Sequence, residues 1–216
     1  MIRRVYEQAK QCQLLCDVVV ATDDERISRE VQSFGGDVVL TNPNHNNGTE
    51  RCAEVAGNSN VDVVINIQGD EPFIQPEQID TLARCFDSPG TQIATLIKQH
   101  ELDDVLRNPA RVKVTVNKHL QALYFSRSVI PFQRATSKPQ PITFYKHIGI
   151  YGYRKDVLLD IVQLPPSMLE LTESLEQLRW LENGYPIQCA LTDHESLAVD
   201  TPEDLEEILR SLSKGK

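Results

Sequence analysis

The 216-residue chain has no surplus of positive charge. Lys and Arg number 22 against 31 Asp and Glu, a net charge of −9, and no stretch gathers the cations into a basic block. That argues against a nucleic-acid surface, and an anionic ligand would need local arginines or a bound cation. No apolar run approaches the roughly 20 residues of a membrane span, and no signal-peptide pattern is read. No zinc-type spacing links the five cysteines (Cys12, Cys16, Cys52, Cys85, Cys189) to histidines, and their count is odd. Reduced, mostly buried thiols in the cytoplasm are therefore expected. No repeat or low-complexity segment appears. With 40% hydrophobic and 25% charged residues, the chain fits one globular domain, or one domain with a lobe.

What is present is an alternation of strand and helix patterns. "MIRRVYEQAKQC" places Ile2, Val5, Tyr6 and Ala9 on one helical face, but no capping residue and no strand precede it. "DVVVATDD" and "DVVLT" read as strands around the helix "DDERISREVQSFGG", which has acids in its first turn and Gly35-Gly36 as its stop. "VDVVINIQ" is apolar on both faces, the pattern of a central strand covered on both sides. Pro76 suits the first turn of a helix over 75–87. This rhythm predicts a parallel, doubly wound sheet. From Thr91 onward, "QIATLIKQ", "RVKVTVN", "QALYFSR" and "FYKHIGIYGYR" predict a mixed or antiparallel extension. The helix "SMLELTESLEQLRWLENG", the strand "YPIQCAL" and the helix "TPEDLEEILRSLSK" follow. "RATSKPQPI" is the expected mobile loop.

Several constellations can carry chemistry. In "NIQGDEPFI", Asp70 and Glu71 sit at a strand's carboxyl end, where open α/β sheets bind ligands. A carboxylate there can hold Mg²⁺, although Gly, Asp and Pro also make ordinary solvated turns. In "AVDTPEDL", Thr201 suits a helix cap and Pro202 its first turn, which leaves Asp200 spare. One carboxylate from each strand end can clamp a single metal, and local hydrogen bonding is the alternative for Asp200. "HNNGTER" offers a tight turn at Asn47-Gly48, a helix start at Thr49, and Arg51 for a phosphate; a capped loop–helix junction reads equally well. Along "FYKHIGIYGYR", Tyr145, His147, Gly149, Tyr151 and Tyr153 share a face that suits a sugar or packs under a helix. Arg127 and Arg134 can pair with a substrate carboxylate, and lone arginines are also ordinary surface residues. Glu176 and Gln177 flank a leucine stripe on what otherwise reads as a solvated helix face. Asp23 and Asp24 read as helix caps without chemistry.

Taken in order, "ATDDERI", "HNNGTERCAEV", "VINIQGDEP", "YFSRSVIPF", "KHIGIYGYR", "LEQLRWLENGYPI" and "VDTPEDLEEI" resemble the 3-deoxy-D-manno-octulosonate (Kdo) cytidylyltransferases, or CMP-Kdo synthetases. The resemblance implies a Rossmann-like α/β nucleotidyltransferase domain with a mixed sheet and a smaller sugar-binding and dimerisation lobe at about residues 119–155. It implies transfer of CMP from CTP to Kdo, with release of pyrophosphate, in the cytoplasm for lipopolysaccharide synthesis. It implies a homodimer, with CTP and Kdo as its small-molecule partners. By position it makes Asp70 and Asp200 the catalytic Mg²⁺ ligands. Asn47, Gly48, Thr49, Arg51 and Gln68 become nucleotide-binding. Arg127, Arg134, His147, Tyr151, Glu176 and Gln177 become the sugar-acid pocket. The family begins with a strand and a glycine-rich loop around the triphosphate, and Met1 aligns just after them. The first strand is therefore expected to be missing, the domain N-terminally incomplete, and activity impaired. The alternatives are a cytidylyltransferase for another sugar acid and a fragment that binds without turnover.

Overall fold

The computed structural model describes residues 1–134 and 142–195. Asp200, the helix expected at "TPEDLEEILRSLSK" and most of the expected "RATSKPQPI" loop lie outside these residues.

The first element is helix α1 (Ile2–Ala9), which has no side-chain cap and turns Val5, Tyr6 and Ala9 into the core. Strands β1 (Val19–Thr22) and β2 (Asp37–Leu40) pair in parallel around α2 (Glu25–Ser33). Asp24 caps α2 by accepting from the Arg26 amide, as its place before the helix implied. Helix α3 (Gly48–Gly57) leads to β3 (Val63–Asn66). Helix α4 (Pro76–Arg84) starts with Pro76 and a Gln75–Gln78 capping box. Then come β4 (Ile93–His100), the short α5 (Asp104–Arg107), β5 (Lys113–Val116), β6 (Ala122–Ser126) and β7 (Phe144–Arg154). Helix α6 (Lys155–Ile161), α7 (Met168–Glu173), α8 (Gln177–Glu182) and β8 (Ile187–Leu191) complete the described elements.

β7 organises the main sheet. Along one edge it pairs with β4, which pairs in parallel with β8; β3 and β5 also pair with β7, and β6 joins β5. All pairs except β4–β8 are antiparallel, so this sheet is mixed, as the sequence after Thr91 predicted. One apolar cluster, including Phe125, Tyr153, Leu158 and Trp180, lies on the α3, α6 and α8 side. The other, including Val5, Ile79, Leu82 and Ile148, lies under α1 and α4.

The expected single parallel sheet is not what β3 joins. Among the described residues, β3 has β7 as its strand partner and is not paired with β1. A cavity of about 1220 Å³ lies between them, lined by Val18–Thr22 on one side and Val61–Gly69 on the other. Its volume exceeds the roughly 300–1,000 Å³ of ordinary ligand sites. Apolar residues on both faces of β3 do reflect cover from both helix layers. That pattern reports burial above and below a strand and carries no information about its in-plane neighbours.

The single helix expected over "SMLELTESLEQLRWLENG" is broken into α7 and α8 at Ser174, which adopts a left-handed conformation (φ 52°). The carbonyls of Glu173 and Ser174, free to accept helical amides in an unbroken helix, accept instead from the Arg127 guanidinium at 2.7 and 3.1 Å.

Candidate active site

The N-terminus of α3 is one wall. Asn47 caps it, its Oδ1 accepting from the Glu50 amide at 2.9 Å. The same side chain donates Nδ2–H to Glu176 Oε1 at 2.9 Å, and Thr49 Oγ1 donates to Glu176 Oε2 at 2.8 Å. Glu176, expected on the sugar side, thus grips directly the turn expected on the nucleotide side. Burial pushes its carboxyl above the ordinary value, against the hydrogen bond from Thr49, which pulls it down. Arg51, one turn into α3, pairs with Asp23 at 3.1 Å and donates to Thr41 Oγ1 at 2.9 Å. It ties α3 to the carboxyl ends of β1 and β2.

The end of β3 is the second wall. Gln68 donates to Asn66 Oδ1 at 3.1 Å. A β-carbon added at Gly48 would stand 3.0 Å from Gln68 Nε2 and 3.4 Å from Oε1, so glycine lets this amide close on the start of α3. Asp70 is half-buried in the turn that follows. Asn47, Gly48, Arg51, Gln68 and Gly69 all border the cavity between β1 and β3.

β7 runs beside β3, and its expected site residues His147 and Tyr151 do not line that cavity. Its register against β4 jumps from Thr95↔Tyr151 to Leu96↔Ile148, so β7 carries extra residues opposite one step of β4. Residues four apart in a regular strand stand about 13 Å apart. Here the bulge brings the rings of His147 and Tyr151 to 5.2 Å. Phe125 meets His147 edge-on at 5.1 Å, and Trp180 meets Tyr151 edge-on at 5.1 Å. The bulge is filled by the Thr95 hydroxyl, 2.8 Å from Ile150 O, 3.3 Å from Ile148 O and 2.9 Å from His147 Nε2. Burial lowers the His147 pKa to about 3 and raises that of Tyr151 well above the ordinary phenol value. Tyr151 lies opposite Asn66 in the β3–β7 pair, which places this ring cluster next to the end of β3.

The remaining expected residues are placed differently. Arg127 is committed to main-chain carbonyls of Glu173, Ser174 and Pro109. Glu173 in turn accepts from Ser126 Oγ at 2.7 Å and the Arg127 amide at 2.9 Å. Burial pushes the Glu173 carboxyl up, but these hydrogen bonds prevail and hold it below the ordinary value. Gln177 is buried at the start of α8, and Arg134 is exposed. Thr95, Asp23 and Glu173 went unread as site residues. A threonine in a strand, an acid before a helix and a glutamate in a polar helix turn carry no local signal of partners 28 to 55 residues away.

Among the described residues, no three His, Cys, Asp or Glu side chains are grouped to hold a metal. No helix among them is long and apolar enough to cross a membrane.

The cytidylyltransferase family model matches residues 1–204. The chain is 53% identical to the 3-deoxy-manno-octulosonate cytidylyltransferase of Parabacteroides distasonis, over 99% of this chain and 88% of that protein. It is also 53% identical to the protein of the same name in Bacteroides thetaiotaomicron, over 99% and 89%. The structure superposes with a TM-score of 0.92 on a CMP:2-keto-3-deoxy-manno-octonic acid synthetase complexed with CTP, 41% identical, covering 100% of this chain and 88% of that one. A putative glucose-1-phosphate thymidylyltransferase from Bacillus anthracis, 19% identical with a TM-score of 0.62, shares the fold. The mixed α/β fold thus recurs in a CTP-bound relative, and the chain belongs to the 3-deoxy-manno-octulosonate cytidylyltransferase family.

Proposed function

We propose that this chain transfers CMP from CTP to the anomeric hydroxyl of Kdo, releasing pyrophosphate. The observation that carries this reading is 53% identity over 99% of the chain to proteins named for that activity. The turn Asn47–Thr49, with Arg51 and Gln68, takes the nucleotide. Helix α3 presents its N-terminal turn there, and the Gly48–Gln68 approach forms a polar edge suited to a base or phosphate oxygen. His147 and Tyr151 receive the sugar acid, with Glu176 and Gln177 beside them. Arg127 and Arg134 complete that pocket in this reading. The fork of Arg127 holds the α7–α8 junction through carbonyl bonds, so its contribution is to set the pocket wall.

Asp70 suits Mg²⁺: it is a hard oxygen donor at a strand-end turn, and Mg²⁺ takes one or two carboxylates plus water and phosphate oxygens. Asp200, the proposed second ligand, lies outside the described residues. Bound there, Mg²⁺ would supply charge neutralisation at the α-phosphate and acidify the attacking hydroxyl. The protein's own residues orient the two substrates in line and exclude water. Positioning and electrostatics account for most of the rate in such transfers, and no covalent nucleophile is required.

The described cysteines are all free thiols, which supports a reducing compartment such as the cytoplasm. A homodimer through the 119–134 part of the proposed lobe is supported by the exposure of Leu123 (60%) and Phe132 (87%) beside strand β6.

A pyrophosphate-release assay with CTP, Mg²⁺ and either Kdo or a sialic acid tests the reading. Release only with Kdo is expected. Release with the sialic acid alone would assign the chain to another sugar acid. The open cavity between β1 and β3 favours one further reading, binding without turnover. Calorimetric CTP binding with no release under any condition would select it.

A further inference from the structure

We propose that Thr95 is a positioning residue that fixes His147 as the neutral tautomer with its proton on Nε2, so that Nδ1 is an acceptor for a substrate hydroxyl. The part concerning tautomer and bulge stands on geometry alone. The part concerning the substrate rests on the reading that His147 meets the sugar acid.

The hydrogen-bond directions leave one arrangement. Thr95 Oγ1 lies 2.8 Å from the carbonyl oxygen of Ile150 and 3.3 Å from that of Ile148. Carbonyl oxygens only accept, so the single hydroxyl proton points to them. Turned to the ring instead, it would leave two oxygens facing each other at 2.8 Å with no proton between them. Toward His147 Nε2, at 2.9 Å, Oγ1 can then only accept, so Nε2 carries the hydrogen. Thr95 is fully buried, and water cannot replace it. The ring is flanked by Phe125 and Tyr151, an environment that disfavours a charged imidazolium. A neutral ring protonated on Nε2 has a bare Nδ1, which accepts hydrogen bonds and cannot donate. Sugar hydroxyls supply such donors. A site built to receive a hydroxyl discriminates strongly against ligands that lack it.

The same hydroxyl holds the bulge. Its two carbonyl contacts lie on either side of Gly149, where the register of β7 shifts. One group on β4 thus sets both the protonation pattern of His147 and its approach to Tyr151.

The test combines spectroscopy with kinetics. Nitrogen-15 shifts of His147 in the full chain at neutral pH should show protonated Nε2 and bare Nδ1. A signal from protonated Nδ1, or an even mixture, would overturn the proposal. Thr95→Val removes the hydroxyl at constant shape and should give mixed tautomers, whereas Thr95→Ser should keep the single one. An unchanged tautomer in Thr95→Val also overturns it, and Thr95→Ser keeps the test open should the valine variant fail to fold. With mixed tautomers, KM for the sugar acid should rise roughly tenfold and KM for CTP stay level, as for one misoriented buried hydrogen bond. Mixed tautomers with unchanged sugar KM would support the role of Thr95 and overturn the contact between His147 and the sugar.

Discussion

His147 carries a pH dependence with a definite sign. Its ordinary pKa of 6.5 falls to about 3 in the fold because burial disfavours the charged ring. The native state therefore binds fewer protons than the unfolded state between those values. The stabilisation is complete above about 6.5 and is lost progressively as pH falls toward about 3. Thermal unfolding across that window should show a falling melting temperature, with a shallower slope in His147→Gln; an unaltered slope would mean the ring is solvated. Gly48 makes a different kind of prediction. Gly48→Ala relieves a poor helix former, so the melting temperature should hold or rise. The new β-carbon would displace the Gln68 amide from 3.0 Å, so KM for CTP should increase. A normal CTP KM would remove the Gly48–Gln68 edge from the nucleotide site. Asp70→Asn should reduce turnover by about two to three orders of magnitude while far-UV circular dichroism is unchanged, because it sits in a turn outside the core. Near-normal turnover with Mg²⁺ would sink the metal assignment.

Elements show how local propensity gives way to distant partners. Caps behaved as their residue types imply: Asp24 for α2, Asn47 for α3, and Ser167 with Glu170 for α7. The break between α7 and α8 did not follow from its own segment, which reads as continuously helical. It follows from Arg127, 46 residues earlier, which takes a carbonyl of the last turn. The bulge in β7 likewise answers to Thr95 on β4. Gly152 is a packing requirement of this layer. A β-carbon there would come 2.6 Å from Phe86 Cε2 and 3.6 Å from Leu82 Cγ, pinching β7 against α4. Gly152→Ala should therefore cost about 1–3 kcal/mol of overpacking strain in urea unfolding. A neutral result would show that Phe86 can swing away.

For the whole molecule, the proposed dimer has a direct test. Phe132→Glu with Leu123→Lys should shift a dimeric mass by light scattering to that of the monomer; a mass unaffected by the pair would place the interface elsewhere. The sequence by itself determined the alternation of strands and helices, the mixed second half, the acid cap of α2, the Pro76 start of α4 and the turn at "NIQGDEPFI". Each of these is set by residues within a few positions of one another, through period, φ preference and local hydrogen bonding. It also picked out Asn47, Thr49 and Glu176 as candidates. Only the tertiary structure joined them, across a separation of 129 residues, and turned Glu176 into a clamp on the start of α3. The partner strand of β3, the commitment of Arg127 to carbonyls and the hold of Thr95 on His147 were decided the same way. A strand's pattern encodes which faces are buried, and a polar side chain encodes what it can donate or accept. Which edge or which group meets it depends on chain closure over tens of residues, and no local pattern records that.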